Sequence, residues 1–253
     1  MAAPAVAVSA LSKYFPQVDL RRLFPGHRPR GLWALRGVEF ALQPGESLCI
    51  VGPNGSGKTT LIKLIATTIS PTQGRILIHG RDTAGAPAAA RRALGFVSCN
   101  EDSFYGRLTG RQNLAFFARL HNLNPSRAIA PVAEILHLTP YLDYRFYTYS
   151  TGIKRRLDIA RGLLHQPDIL IMDEPTANLD PIAAADLRRL LVGFQEQGKT
   201  LITVTHRLEE ARQLGRSLAV MVQGRLREVS PQEGEDLDDL YRRTVLEGDD
   251  HAA

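Results

Sequence analysis

Short apolar runs of strand length recur along the chain and alternate with stretches of helical periodicity. The apolar runs are Ser47–Val51, Ile169–Met172, Thr200–Thr205 and Leu218–Val222. The helical stretches, in which apolar residues recur at steps of three and four, are Thr59–Ile69, Lys154–Leu164, Ala183–Gln197 and Leu208–Leu214. Strands that alternate with helices in this way predict an α/β fold with a mostly parallel, doubly wound sheet.

Two regions depart from this alternation. Residues 1 to about 50 are rich in strand patterns, such as Ala5–Val8 and Val38–Leu42, and predict a small N-terminal β subdomain. Between these strands, Pro16–Leu32 is rich in proline, glycine and arginine. It predicts a long basic loop, which is either a solvated insertion or a contact for nucleotide phosphates or anionic lipid. Residues from about Leu108 to Asp143 return to helical periodicity and predict a separate helical lobe.

Composition is that of a soluble globular protein. The chain has 253 residues, of which 44% are hydrophobic and 23% charged, enough for one sizeable domain with a buried sheet. No apolar run approaches the roughly 18 residues that a membrane helix needs. No basic segment precedes the apolar N-terminal residues as it would in a signal peptide. We therefore expect a protein that stays in the cytosol.

Charge is distributed unevenly. The net charge is +5, yet residues 230–253 carry eight acidic residues and two arginines, so the rest of the chain is basic. Within this acidic tail, Leu237–Val245 has the pattern of a short helix. A basic body can suit nucleic acid, an anionic membrane or a nucleotide. Because no nucleic-acid motif accompanies the charge, no nucleic-acid partner is expected.

A glycine-rich segment directly follows the first buried strand of the predicted sheet and opens the next helix. Its residues are Gly52, Pro53, Asn54, Gly55, Ser56, Gly57, Lys58, Thr59 and Thr60. In this position the spacing is that of a P-loop, whose backbone N–H groups and helix N-terminus bind phosphates. Lys58 offers an ammonium to the outer phosphates, and Thr59 offers a hydroxyl to Mg²⁺. The motif predicts a nucleoside triphosphate site but does not name the reaction.

Two carboxylates end the strand Ile169–Met172. At the carboxyl edge of a parallel sheet they would lie beside the phosphate loop. Asp173 would orient Mg²⁺ directly or through water, and Glu174 could polarise the attacking water. His206 directly follows the strand Thr200–Thr205 and is a candidate donor near the γ-phosphate. Together with Lys58, these residues predict hydrolysis that depends on positioning and charge stabilisation.

The segment Tyr149–Ile153 (Tyr-Ser-Thr-Gly-Ile) has no role in an ordinary P-loop kinase or GTPase. Together with the other segments, in this order, it resembles the signature motif of the ATP-binding-cassette (ABC) ATPases. The resemblance covers residues 5–229, with a helical subdomain at about 100–152, and leaves out the tail at 230–253. It implies an α/β P-loop NTPase (RecA-like) with a mostly parallel sheet core, an N-terminal antiparallel β subdomain and an α-helical subdomain.

The same resemblance assigns roles to individual residues. Gly52–Thr59 is similar to the Walker A motif, and Asp173 and Glu174 are similar to the Walker B aspartate and the catalytic glutamate. Ala177–Asp180 resembles the D-loop, and His206 resembles the switch histidine. Tyr14 resembles the aromatic residue that stacks on adenine, and its neighbour Phe15 competes for that role.

In this family the signature motif engages the γ-phosphate of an ATP bound by a second subunit. Ser150 and Gly152 precede a predicted helix, where a hydroxyl and backbone N–H groups form an anion site. The resemblance therefore implies ATP and Mg²⁺ as cofactors and a dimer, either with a second copy or with a related ATPase. It also implies membrane subunits that are driven by closing and opening of that dimer.

One motif departs from the family pattern. A Gln normally follows the strand that corresponds to Gly95–Cys99, but this chain has Asn100 followed by Glu101. Asn100 is the closer positional match as a metal contact, and Glu101 is the alternative. The Tyr-Ser-Thr-Gly signature, the missing Gln and Phe104–Tyr105 resemble bacterial exporter ATPases. These serve separate ABC-2 type membrane subunits at the cytoplasmic face of the inner membrane.

Two other classes of function compete with this interpretation. A soluble cassette protein for assembly or nucleic-acid work would need two motif sets or a long coiled coil between the motifs, and the chain has neither. A P-loop kinase would have no use for the segment from Ser150 to Gly152. We therefore expect an ATP-hydrolysing transporter subunit whose cargo passes through partner proteins.

Overall fold

The computed structural model describes residues 3–16, 31–98, 103–229 and 237–249. Within these residues the strands are β1 (Val6–Pro16), β2 (Gly31–Leu42), β3 (Ser47–Val51), β4 (Gln73–Ile78), β5 (Arg81–Asp82), β6 (Leu94–Val97), β7 (Ile169–Asp173), β8 (Thr200–Thr205), β9 (Ser217–Val222) and β10 (Arg225–Val229). The helices are α1 (Lys58–Ile65), α2 (Pro87–Ala93), α3 (Gly110–Leu120), α4 (Pro125–Ile135), α5 (Thr151–Leu163), α6 (Pro181–Glu196), α7 (Leu208–Leu214) and α8 (Leu237–Asp249).

The larger sheet confirms the predicted parallel core. In the described part of the chain its order is β10-β9-β3-β8-β7-β6, and only the β10–β9 pair is antiparallel. Every residue of β3 and β8 is buried, as expected for strands with helices on both faces. The pairing aligns Val51 with Thr205 and Asp173 with Val204, so β3, β7 and β8 end together.

The smaller sheet confirms the predicted N-terminal β subdomain. Its strands are antiparallel in the order β2-β1-β4-β5. The predicted loop Pro16–Leu32 is shorter in the structure than in the prediction, because Pro16 pairs with Gly31 and Phe15 with Leu32 at the end of the β1–β2 ladder. Residues 17–30, which carry the arginines of that loop, lie outside the described residues.

Helix α1 packs between the two sheets, and its side chains Leu61, Ile62 and Ile65 join one core with both of them. The helix ends at Ile65, four residues before the predicted end. Thr67 has a left-handed backbone (φ 58°), and its N–H bonds to the carbonyl of Leu64, which closes the helix.

The helical lobe is also confirmed. Helices α3 and α4 and the 3₁₀ turn that contains Phe146 form a second core together with α5 and α6. Thr109 starts α3 with a capping box that it shares with Gln112. Helix α8 continues beyond the predicted end at Val245, and Leu240 packs it on the body of the protein. Within the four described ranges, none of the helices combines the length and hydropathy of a bilayer-spanning segment.

Candidate functional site

The phosphate loop joins β3 to α1 through backbone that glycine alone adopts without strain. Gly55 and Gly57 have φ values of 79° and 109°. A Cβ on Gly57 would lie 2.5 Å from the Ala34 carbonyl oxygen, so β2 passes too close for any side chain there. The loop is fixed from the other side by the turn between β9 and β10, where the Gly224 N–H donates to the Ser56 carbonyl at 2.9 Å.

A cavity of about 780 Å³ opens beside this loop. One wall consists of the phosphate loop and the start of α1. The remaining lining residues are Phe15, Leu32, Trp33, Ala34, Arg36, Glu174, Gln223, Gly224 and Arg225. The cavity thus runs from a polar end at the loop to an aromatic end at the edge of the smaller sheet, which suits a nucleotide with its base at the aromatic end.

Of the two adjacent aromatic residues, Phe15 lines this cavity, and Tyr14 is not among its lining residues. The Tyr14 ring instead packs on Trp33, with ring centroids 5.2 Å apart. The geometry therefore favours Phe15 or Trp33 over Tyr14 as the surface against which a base would stack. Tyr14 supports Trp33 through this ring contact. This differs from the expectation that Tyr14 itself contacts adenine.

The Lys58 side chain lies over the phosphate loop. Its ammonium donates to the carbonyl oxygens of Gly52 at 2.7 Å and Pro53 at 2.9 Å. Burial lowers the pKa of Lys58, while the nearby Glu174 and Asp173 carboxylates act in the opposite direction. Ser56 Oγ is buried and has no hydrogen-bond partner among the described residues. A phosphate at this loop would offer the Ser56 hydroxyl an acceptor and the Lys58 ammonium a further one.

The structure brings Thr59 and Asp173 together, since the Thr59 hydroxyl donates to the Asp173 carboxylate. Burial raises the pKa of Asp173, and the bond from Thr59 opposes that shift. Mg²⁺ is commonly held by one or two protein oxygens together with phosphate and water oxygens. A hydroxyl and a carboxylate beside a phosphate loop fit that ion, whereas the described residues contain no cluster of three or more His, Cys, Asp or Glu ligands.

Glu174 and His206 form a pair at the shared end of β7 and β8. Glu174 Oε1 lies 2.9 Å from His206 Nδ1, and both side chains are partly exposed. The Glu174 N–H donates to the Val204 carbonyl at 2.8 Å, and its backbone is left-handed with φ 48°. Because Glu174 also lines the cavity, its carboxylate can face the outer phosphate of a nucleotide held by the loop.

The signature segment lies elsewhere, because Ser150 and Gly152 are not among the residues that line this cavity. Ser150 is exposed and caps α5, with its Oγ accepting from the Ile153 N–H at 3.4 Å. Tyr149 anchors the segment by donating its hydroxyl proton to the Tyr141 carbonyl at 2.5 Å. The described chain therefore presents a phosphate loop and a separate, exposed helix N-terminus.

The D-loop segment connects these two places. The Arg155 guanidinium of α5 donates to the Ala177 carbonyl at 3.2 Å, and Asp180 caps α6 by accepting from two backbone N–H groups. Asn100 and Glu101, the candidates for the missing Gln, lie outside the described residues.

Sequence reasoning missed the cavity wall formed by Trp33 and by the turn at Gln223–Gly224. A signal for the turn was present. Gly224 follows the apolar run Leu218–Val222 closely, and both turn residues have positive φ, as in a tight hairpin. The prediction stopped at Val222, so β10 and the residues that it brings to the cavity were not foreseen.

A phosphate loop, two carboxylates at one sheet edge and a histidine paired with one of them define a P-loop ATPase. Residues 35–177 match the family model described as ABC transporter. Among curated proteins, the chain is 33% identical over 194 residues to the ABC transporter ATP-binding protein NatA of Bacillus subtilis, covering 76% of this chain and 79% of that protein. The chain therefore belongs to the ABC transporter family, in its class of ATP-binding ATPase subunits.

Other relatives differ in the transport that their names describe. The Nod factor export ATP-binding protein I of Burkholderia thailandensis is 38% identical, with 75% of this chain and 63% of that protein covered. The molybdate/tungstate import protein WtpC of Pyrococcus horikoshii is also 38% identical, with 77% of this chain and 57% of that protein covered. The chain thus spans less than two thirds of the length of these two relatives.

Solved structures show the same fold. The ATP-binding cassette MJ0796, in a dimeric post-hydrolysis state bound to ADP and Pi, superposes with a TM-score of 0.77 at 24% sequence identity. The match covers 90% of this chain and 99% of that one. Together with the family match, this likeness confirms the expected P-loop NTPase fold with its antiparallel and helical subdomains.

Proposed function

We propose that this chain hydrolyses ATP to power export through separate ABC-2 type membrane subunits. The observation that carries the proposal is the spatial separation of two half-sites, one at the phosphate loop and one at the exposed N-terminus of α5. A second ATPase chain, identical or related, would bring its Ser150 and Gly152 to the ATP held by the first. ATP then bridges two chains, and hydrolysis releases them.

The residues of the cavity divide the chemistry between them. Lys58 and the loop N–H groups bind the outer phosphates, and Phe15 with Trp33 holds the base. Thr59 and Asp173 are the residues that would hold Mg²⁺, which supplies charge neutralisation at the phosphate oxygens when it is bound. Glu174 accepts a proton from the attacking water at its carboxylate, and His206 keeps that carboxylate oriented through its 2.9 Å contact.

Export is supported by the Nod factor export relative, and by the signature and Phe104–Tyr105 that resemble exporter ATPases. Import is the second candidate, because WtpC is equally similar in sequence identity. In either case the chain would act at the cytoplasmic face of a membrane, through its partners. Purification with the membrane subunits, followed by reconstitution in vesicles with ATP on one side, distinguishes the two directions.

The dimer mechanism predicts a trapped state. Glu174→Gln removes the proton acceptor but leaves the phosphate loop intact, so we expect hydrolysis to fall by about 100-fold or more while ATP binding persists. In gel filtration with ATP and Mg²⁺, this variant should elute as a dimer. Lys58→Ala is the matched control, since it weakens phosphate binding and should remain monomeric. A Glu174→Gln variant that binds ATP yet stays monomeric with its membrane partner present would refute the mechanism.

A further inference from the structure

Glu210 is a buried carboxylate that the proposed chemistry does not use. It lies on α7 and is 2% exposed. Its neighbour Glu209, on the same helix, is exposed and bonds to Gln213 instead. A carboxylate loses favourable hydration when it is buried, so its position calls for partners that compensate the loss.

Two buried threonine hydroxyls are those partners. Thr176 Oγ1 donates to Glu210 Oε1 at 2.8 Å, and Thr205 Oγ1 donates to Glu210 Oε2 at 2.6 Å. Thr176 and Thr205 are 0% and 1% exposed. The two oxygens of the carboxyl group thus accept from threonines of two different segments, one after β7 and one at the end of β8.

The two threonines belong to the segments that carry the catalytic pair. Thr176 lies two residues after Glu174 at the end of β7, and Thr205 directly precedes His206 at the end of β8. Thr205 Oγ1 also accepts from the Arg207 N–H at 3.1 Å, which fixes the turn around His206. Glu210 therefore links these two segments away from the cavity, and the contact between Glu174 and His206 links the same two segments at the cavity.

Filling this space does not require a carboxylate. Apolar residues of similar volume often serve as well or better than buried charges where stability alone matters. A carboxylate has two equivalent acceptors at a fixed separation, and this geometry sets the spacing between the two hydroxyls. The structure thus indicates that the carboxylate serves to set the separation of the two threonines rather than to fill space.

We propose that Glu210 is a positioning residue for ATP hydrolysis, which holds the chain segments of Glu174 and His206 at the separation that their 2.9 Å contact requires. The proposal rests on the roles proposed above for that pair. Glu210 acts through Thr176 and Thr205 and does not touch the cavity.

The test compares Glu210→Gln, Glu210→Ala and Thr205→Val with Glu209→Gln as the matched control. Misplacement of reacting groups by about 1 Å can cost on the order of 100-fold in rate. We expect kcat to fall about tenfold or more in Glu210→Ala and Thr205→Val, with a smaller fall in Glu210→Gln, which keeps one acceptor. KM for ATP should stay within about twofold, because the phosphate loop is untouched. Rates are normalised to the bound-nucleotide stoichiometry, so misfolded protein does not count.

A double variant provides a measurement that a purely stabilising role of Glu210 would not affect. If Glu210 acts through Thr205, the kcat loss in Glu210→Ala/Thr205→Val should be close to that of the larger single loss, not to the product of both. Normal kcat per bound nucleotide in both Thr205→Val and Glu210→Gln would overturn the proposal, even if their melting temperatures fall. If Glu174→Gln itself hydrolyses ATP normally, the proposed catalytic role of Glu174 fails instead, which is a separate result.

Discussion

Gly57 offers a test of how closely β2 is packed on the phosphate loop. Its φ of 109° lies in the region that side chains rarely adopt, and Ala34 O would be 2.5 Å from a new Cβ. Gly55 is the matched control, because its φ is 79° but no atom lies within 4 Å of the position that a Cβ would take there. Both alanine variants bear the left-handed cost of roughly 1–2 kcal/mol. Gly57→Ala alone also creates a clash.

The clash sets the expected difference. An ordinary contact needs at least 3.4 Å, so the Ala34 carbonyl or the loop must move by almost 1 Å. Overpacking of this kind costs about 1–3 kcal/mol. The free energy of unfolding in urea, measured without nucleotide, should therefore fall by about 1–3 kcal/mol more in Gly57→Ala than in Gly55→Ala. In melting temperature each kcal/mol corresponds to about 2–4 °C for a chain of this size.

Equal losses in the two variants would refute the reasoning. That result would mean that β2 yields to a Cβ without cost, and that backbone conformation alone explains the glycine at position 57. Titration with ATP adds an independent measurement. If β2 resists, the displaced loop should bind ATP more weakly in Gly57→Ala than in Gly55→Ala.

Two further predictions concern stability. Burial raises the pKa of Asp173, because the folded state disfavours the ionised carboxylate. The folded state is therefore favoured while Asp173 is protonated. This stabilisation is lost as pH rises from the pKa of the unfolded state through the raised pKa of the folded state. Asp173→Asn should thus raise the melting temperature at pH 7 without nucleotide, and the gain should vanish in acid, where Asp173 is protonated; a lower melting temperature at pH 7 would contradict this. Gly193 lies inside α6 with no atom within 4 Å of a Cβ, so Gly193→Ala should add about 1 kcal/mol to the unfolding free energy in urea; no gain would contradict the helix-propensity argument.

The parallel core and the edge that carries the proposed site were predictable because buried strands leave a strong pattern. Strands β3 and β8 are buried along their whole length, and they appear in the sequence as unbroken apolar or threonine-rich runs. Since parallel strands end at one edge, the motifs that follow β3, β7 and β8 had to converge. Their convergence on one edge was therefore predictable, whereas the order of the strands was not, because β8 lies between β3 and β7.

The choice between Tyr14 and Phe15 could not be made in this way. Side chains alternate along a strand, but the β1–β2 ladder has register shifts between Val8 and Leu11, Leu11 and Lys13, and Lys13 and Tyr14. Each irregularity can change which face a side chain occupies. Helix α2 escaped prediction for a different reason: in its alanine-rich sequence Ala90 alone is buried, so it carries no amphipathic pattern.

At the end of β7 the backbone departs from the conformation that its residues prefer, and the packing around it explains how this is possible. Glu174 has a left-handed backbone, a conformation that costs of order 1–3 kcal/mol outside glycine. No sequence pattern predicts it, because a positive φ is uncommon for residues other than glycine and glutamate is not among those enriched there. The conformation is held by the N–H bond to Val204, and Thr176, two residues on, is held by Glu210. The left-handed Glu174 and the buried contact that holds the segment after it therefore come from distant parts of the chain, so no local sequence pattern predicts either.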